Sequence, residues 1–279
     1  MSSLELLLGT GPSAGGRLSG GCACKVILVG AGPGDPGLLT RKGYDALQSA
    51  EVVFFDDLVA AEIIDLLSPR THRVYVGKPH GTAGLSQADI AEQLIGAARA
   101  GRRVVRLKGG DPMVFGRSGE EIDALRAAGI EVDVIPGITA ATGAAASTRI
   151  SLTHRDHAAQ VTFVTAARQD GGLADVRGLA GPGRTLVVYM GIARAGALSV
   201  ALAADGVGAD LPVAIVENAT RPEERVIITT VGDLADAIAR HAVRSPALFI
   251  VGKVVETYVP VEATAEAIVG AAGASTTRA

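Results

Sequence analysis

The sequence predicts an α/β protein built as two α/β domains, the second richer in strands. Three observations predict it. Short apolar runs of strand length alternate with helix-spaced segments from Lys25 to about residue 150. Five further strand-like runs follow, with fewer and weaker helical segments between them. The chain has 279 residues, of which 48% are hydrophobic and 20% charged, so apolar material for packed cores is ample.

Each element has its own signal. Lys25–Gly30 is an apolar run closed by glycine, and Leu38–Gln48 follows with helical spacing. Glu51–Asp56 reads as a buried strand, Ala60–Leu67 as a short helix and Val74–Val76 as a third strand. Ser86 and Asp89 form a capping-box pattern that opens a helix over Gln87–Ala100, and Gly101 ends it. Arg103–Leu107 is the fourth strand, Glu120–Ala128 a helix and Glu131–Ile135 the fifth strand. This rhythm predicts a mostly parallel sheet covered on both faces. In the second half Val161–Ala166, Thr185–Met190, Pro212–Glu217, Val226–Val231 and Ala247–Val255 read as strands. The expected organisation is a flexible extension over 1–24, domains over 25–150 and 151–260, and a flexible tail over 261–279. The joint is expected near Thr148–His157.

Composition excludes several classes. Lys+Arg 26 against Asp+Glu 29 gives a net charge of −3, so no global basic field draws the chain to nucleic acid or an anionic membrane. Aromatics are 3% and Trp is absent, which removes base-stacking platforms. Apolar runs such as Val26–Val29 and Val52–Phe55 fall far short of the ~18 residues of a membrane span. Residues 1–24 lack the basic start and long apolar stretch of a secretory signal. Cys22 and Cys24, one residue apart, cannot staple a fold, and a reducing cytoplasm is the expected setting.

The chemistry-bearing signals sit in loops just after strands. Gly30-Ala31-Gly32-Pro33-Gly34-Asp35-Pro36 resembles a dinucleotide fingerprint but fails it, because Asp35 stands where the last glycine belongs and Pro33 removes an amide. Lys108 to Arg117, with Gly109, Gly110 and Asp111, follows the fourth strand. Pro136-Gly137-Ile138-Thr139-Ala140 follows the fifth. In open α/β sheets ligands gather at that edge. The plain readings are tight turns for the glycines and a helix N-cap for Thr139. Ser151 to His157 crowds polar groups near the joint, yet no metal-ligand spacing is present there. Serine-hydrolase elbows and phosphate loops are absent.

Taken in order, the motifs resemble those of the tetrapyrrole methylase family. They are Val29–Pro36, Val76-Gly77-Lys78, Arg106–Pro112, Phe115-Gly116-Arg117, Gly119-Glu120-Glu121, Pro136–Ala140, Leu152–Asp156 and Tyr189-Met190-Gly191. The likeness runs from Lys25 to about Val255 and is nearest to members that methylate uroporphyrinogen III. It implies two α/β domains with S-adenosyl-L-methionine held in the cleft between them, S-adenosyl-L-homocysteine as product, and no metal. It also implies a homodimer and a tetrapyrrole substrate, methylated twice to precorrin-2 for sirohaem or cobalamin synthesis. The family pattern implies cofactor contacts at Pro33, Gly109, Gly110, Asp111, Val114, Thr139, Ala140, Met190 and Ala219. It implies substrate contacts at Arg117, Glu120, Arg155 and Met190.

For proton handling the resemblance implies Asp56 as acceptor and Lys78 as donor. Arg117 is a rival base, although a guanidinium normally stays protonated. Two positions depart from the family: Asp57 stands where an arginine is usual, and Pro79 follows Lys78 where an arginine often does. Both remove positive charge, which Arg149, Arg168 or His80 can offset. Sibling methylases acting on another corrinoid precursor or on diphthine intermediates remain alternatives. So do a non-catalytic S-adenosylmethionine-binding module and, more distantly, a nicotinamide oxidoreductase.

Overall fold

The alternation of side chains along β1 (Lys25–Gly30) sets the architecture of the first half. Val26 and Leu28 point to one face of a sheet, and Ile27 and Val29 to the other. The computed structural model describes residues 24–77, 85–168 and 171–260. Lys78, Pro79 and His80, the extension with Cys22, and the tail from residue 261 lie outside the described residues. The chain divides into two compact units between Ala140 and Ala141.

The first unit holds one parallel sheet in the order β3-β2-β4-β1-β5. The other strands are β2 (Val52–Phe55), β3 (His72–Tyr75), β4 (Val104–Lys108) and β5 (Glu131–Ile135). Helices α1 (Arg41–Ser49) and α2 (Ala61–Asp65) cover one face, where Leu47 and Ile63 meet Val29, Val53, Val105 and Leu107. Helices α3 (Gln87–Arg99) and α4 (Ser118–Ala127) cover the other, where Leu94 and Leu125 meet Val26, Leu28, Phe54 and Val104. Each fully buried side chain of this size contributes about 1.5–3 kcal/mol. The Ser86–Asp89 capping box is formed as the spacing predicts.

Several boundaries differ from expectation for local reasons. The helix expected over Leu38–Gln48 is split. Pro36–Leu38 is a 3-10 turn capped by Asp35, and α1 begins anew because Thr40 accepts from the Gly43 amide at 3.1 Å. Lys108 belongs to β4 rather than to the loop after it, and it is buried.

The second unit contains a mixed sheet in the order β6-β7-β10-β8-β9. Its strands are β6 (Ala158–Thr165), β7 (Gly183–Tyr189), β8 (Pro212–Glu217), β9 (Arg225–Thr230) and β10 (Ala247–Val251). Only β6 and β7 pair in parallel; β7–β10, β10–β8 and β8–β9 are antiparallel. The strand expected over Ala247–Val255 stops at Val251, where Gly252 turns the chain with φ 140° into a 3-10 segment. Helices α5 (Ala140–Thr148), α6 (Ala195–Ala204) and α7 (Leu234–Arg240) complete the set. Leu198 and Leu202 of α6 and Leu234 of α7 share a core with Leu186, Val188, Ile215 and Phe249. Among the described residues no helix is long and apolar enough to cross a membrane.

Candidate active site

In the first unit β1, β4 and β5 are adjacent and parallel, so the loops after them leave the same edge. Backbone bonds join these loops. Ala31 donates to the Lys108 carbonyl at 2.8 Å, and Gly32 and Gly110 exchange amide bonds at 3.1 and 2.8 Å. The third loop is brought in by Asp111, whose Oδ2 accepts the Gly137 amide at 2.9 Å while Oδ1 accepts the Met113 amide at 2.8 Å. The expected donor residues Pro33, Gly109, Gly110, Asp111, Val114, Thr139 and Ala140 therefore converge on one strand edge, all half-buried.

The glycines serve packing here more directly than ligand approach. A Cβ on Gly30 would stand 2.4 Å from the Gly137 amide nitrogen, so two backbones cross at contact. A Cβ on Gly109 would stand 2.6 Å from the Leu58 side chain, and Gly110 adopts φ 66°.

Arg117 and Glu120 form a bidentate pair on α4 and its N-cap, with Nε–Oε1 and Nη2–Oε2 both 2.8 Å. The pairing raises the Arg117 pKa further and holds the Glu120 carboxyl below its ordinary value. Arg117 thus stays a cation, which argues against it as a base. Arg117 and Phe115 both have φ 53°, a left-handed geometry that costs side-chain-bearing residues about 1–2 kcal/mol. Strain of this kind concentrates at functional sites.

Asp56 follows β2 and lies on the α3–α4 face. Its Oδ2 accepts from Arg106 Nη2 at 2.7 Å, and its Oδ1 accepts the Leu58 amide at 3.2 Å. Behind it is a buried charge network to which no sequence motif gives a role. Arg106 Nε donates to Glu121 Oε1 at 3.2 Å, and Lys108 Nζ donates to Glu121 Oε2 at 2.9 Å. Burial pushes the Lys108 pKa down. The available signal was two charges, two residues apart, inside an otherwise apolar strand.

Asp57, which departs from the family, has a partner: the Tyr75 hydroxyl donates to its carboxylate. The bond is the first cause of a Tyr75 pKa pushed up to about 12. A Cβ on Gly77 would stand 2.5 Å from the Tyr75 hydroxyl, so that glycine leaves room for the pair.

In the second unit Met190 and Ala219 follow β7 and β8, which both lie antiparallel to β10 and so end at the same edge. Met190, Asn218 and Thr220 have φ 55°, 51° and 67°. Arg155 lies elsewhere. It sits exposed in the turn before β6, which runs parallel to β7, so Arg155 and Met190 occupy opposite edges, about 25 Å apart along the strands. His154 and His157 stack at 4.6 Å beside it. Among the described residues no group of three or more His, Cys, Asp or Glu forms a candidate metal centre. A cavity of 560 Å³ bordered by Glu51, Arg70, His72, Arg102 and Arg103 lies at the opposite, N-terminal edge of the first sheet, away from these loops.

Fold and candidate site together define an α/β protein with a glycine-crossed strand edge and a charged α4 terminus in the same unit. A profile of the tetrapyrrole (corrin/porphyrin) methylases matches residues 25–235. The chain belongs to that family, as the ordered motifs imply. It is 50% identical over 232 residues to a siroheme synthase of Chromobacterium violaceum, covering 83% of this chain and 49% of that protein. Against a siroheme synthase of Stutzerimonas stutzeri the identity is 47% over 254 residues, with 90% and 53% covered. The chain spans about half the length of the curated relatives it matches. A solved uroporphyrin-III C-methyltransferase of Thermus thermophilus, complexed with S-adenosylhomocysteine, is similar at 41% identity and TM-score 0.73, covering 85% of this chain and 96% of that one. A cobalt precorrin-4 methyltransferase is similar at 30% identity and TM-score 0.75, with 86% and 99% covered.

Proposed function

We propose that the chain is an S-adenosyl-L-methionine-dependent C-methyltransferase that converts uroporphyrinogen III to precorrin-2 by two successive methyl transfers. The observation that carries the reading is the joining of three loops at one strand edge, by the Gly32–Gly110 backbone bonds and by Asp111. The residues fit the donor. A carboxylate offers about four acceptor sites. Asp111 uses two on the Met113 and Gly137 amides, leaving capacity for an ammonium or a ribose hydroxyl. Pro33, Gly109, Gly110, Val114, Thr139 and Ala140 would line the same edge, and Met190 and Ala219 are the donor residues proposed on the second unit. When bound, S-adenosylmethionine supplies an electrophilic methyl on a sulfonium and leaves as S-adenosylhomocysteine.

The chain's own side chains do the rest. Arg117, held by Glu120, presents a guanidinium to a substrate carboxylate, and each such contact contributes about 1.5–3 kcal/mol. Asp56 accepts the proton lost from the methylated ring carbon, and Lys78 is proposed to donate one. Arg155 offers a second carboxylate partner. Because it and Met190 stand at opposite edges of one sheet, a substrate touching both is shared with a second copy of the chain, in keeping with a homodimer. The siroheme synthases among the relatives favour sirohaem as the product's destination, with cobalamin the other outlet.

An anaerobic assay with uroporphyrinogen III and S-adenosylmethionine, read by product mass, tests the reading. A gain of two methyl groups is expected. S-adenosylhomocysteine binding without any gain would favour a sibling methylase with another corrinoid substrate, the reading that the negative charge of Asp57 supports.

A further inference from the structure

We propose that Arg106, clamped by Glu121, is a positioning residue that fixes the Asp56 carboxylate for proton removal. The inference rests on the methyltransferase reading and deepens it.

All three guanidinium nitrogens of Arg106 are engaged. Nε bonds Glu121 Oε1 at 3.2 Å, Nη1 bonds the Leu107 carbonyl at 2.9 Å, and Nη2 bonds Asp56 Oδ2 at 2.7 Å. The side chain is 3% exposed and Glu121 is 0% exposed, so the fork has one orientation. Glu121 is itself held from behind by Lys108 at 2.9 Å. The charges alternate along Lys108, Glu121, Arg106 and Asp56 and sum to zero. Asp56, 25% exposed, is the only member of the chain open to solvent.

Burying such a network is a poor route to stability, because desolvation cancels most of the attraction. Its distinctive property is orientation. Asp56 emerges just past β2, where an unsupported carboxylate would sample several rotamers. Arg106 and Lys108 alternate with Leu107 on β4, which puts both on the face covered by α4 and within reach of Glu121. A planar fork aims a carboxylate in a way that a lysine ammonium cannot.

The test has a structural and a kinetic arm, both on the full chain. In crystals of Arg106→Lys, the Asp56 carboxylate is expected to leave its position while β2 and β4 keep their register. In the assay, Arg106→Lys and Asp56→Asn are each expected to lower kcat about 10- to 100-fold, with KM for S-adenosylmethionine unchanged. The double variant should be no slower than Asp56→Asn alone. An unmoved Asp56, or a double variant that loses the product of the two factors, overturns the proposal. Wild-type turnover by Asp56→Asn overturns the base reading beneath it, while the crystals still decide whether Arg106 places Asp56. Should Arg106→Lys fail to fold, Glu121→Gln removes the negative charge behind Arg106 at constant shape and carries the same two arms.

Discussion

Asp111 Oδ2 accepts the Gly137 amide at 2.9 Å, which makes one side chain the tie between the loops after β4 and β5. The residue is therefore structural as well as a proposed ligand contact. Asp111→Ala should lower stability by about 2 kcal/mol, the scale of hydrogen bonds to a charged acceptor. It should also weaken S-adenosylhomocysteine binding at least tenfold by calorimetry. Lost stability with full affinity would confine Asp111 to the scaffold.

Gly30 and Gly137 cross at backbone contact. A methyl at Gly30 meets main-chain atoms at 2.4, 2.5 and 2.8 Å, none of which can swing aside as a side chain would. Gly30→Ala is expected to cost about 3 kcal/mol or more by denaturant unfolding. A cost near zero would mean that β1 and β5 separate easily, contrary to their paired register.

Tyr75 is expected to ionise late. Its pKa is pushed up to about 12 by the Asp57 hydrogen bond, and burial adds to the effect. The ordinary value is near 10. A raised folded value means that the contact stabilises the fold fully below pH ~10 and is lost as pH rises through about 12. Ultraviolet titration of the wild type and of Asp57→Asn checks this: one tyrosine should move back toward the ordinary range in the variant.

Met190 carries a left-handed backbone and is 53% exposed. Glycine accepts that geometry without the cost of about 1 kcal/mol that a side chain bears. Met190→Gly should melt at or above the wild-type temperature yet bind S-adenosylhomocysteine several-fold more weakly. A lower melting temperature would contradict the strain account, and unchanged affinity would remove Met190 from the donor site.

Much of this molecule is legible in its residues, for identifiable reasons. Short, nearly continuous apolar runs locate β1, β2 and β4, because both faces of the sheet are buried there. The Ser86–Asp89 box marks the start of α3 because capping is local chemistry. Strand order is not local: nothing in Val104–Lys108 says that it lies between β1 and β2. The Arg106–Glu121 clamp is hidden for the same reason, since the partners lie 15 residues apart and meet only when α4 folds onto the sheet. Lys108 reads as the start of a glycine loop because a lysine is rarely expected on a buried strand. The partner of Asp57 was equally hidden, as Tyr75 reaches it only once β2 and β3 pair.

The place of β1 in its sheet has a consequence for synthesis. Its neighbours are β4 and β5, which begin at Val104 and Glu131. At about 5–20 residues per second, a ribosome takes several seconds to add the roughly seventy-five residues between β1 and β4. Through that interval β1 lacks both of the strands that it pairs with in the folded sheet. Of the described strands the one translated first is seated late, so a nascent chain halted before residue 104 holds Val26–Val29 without either strand that flanks it in the folded sheet.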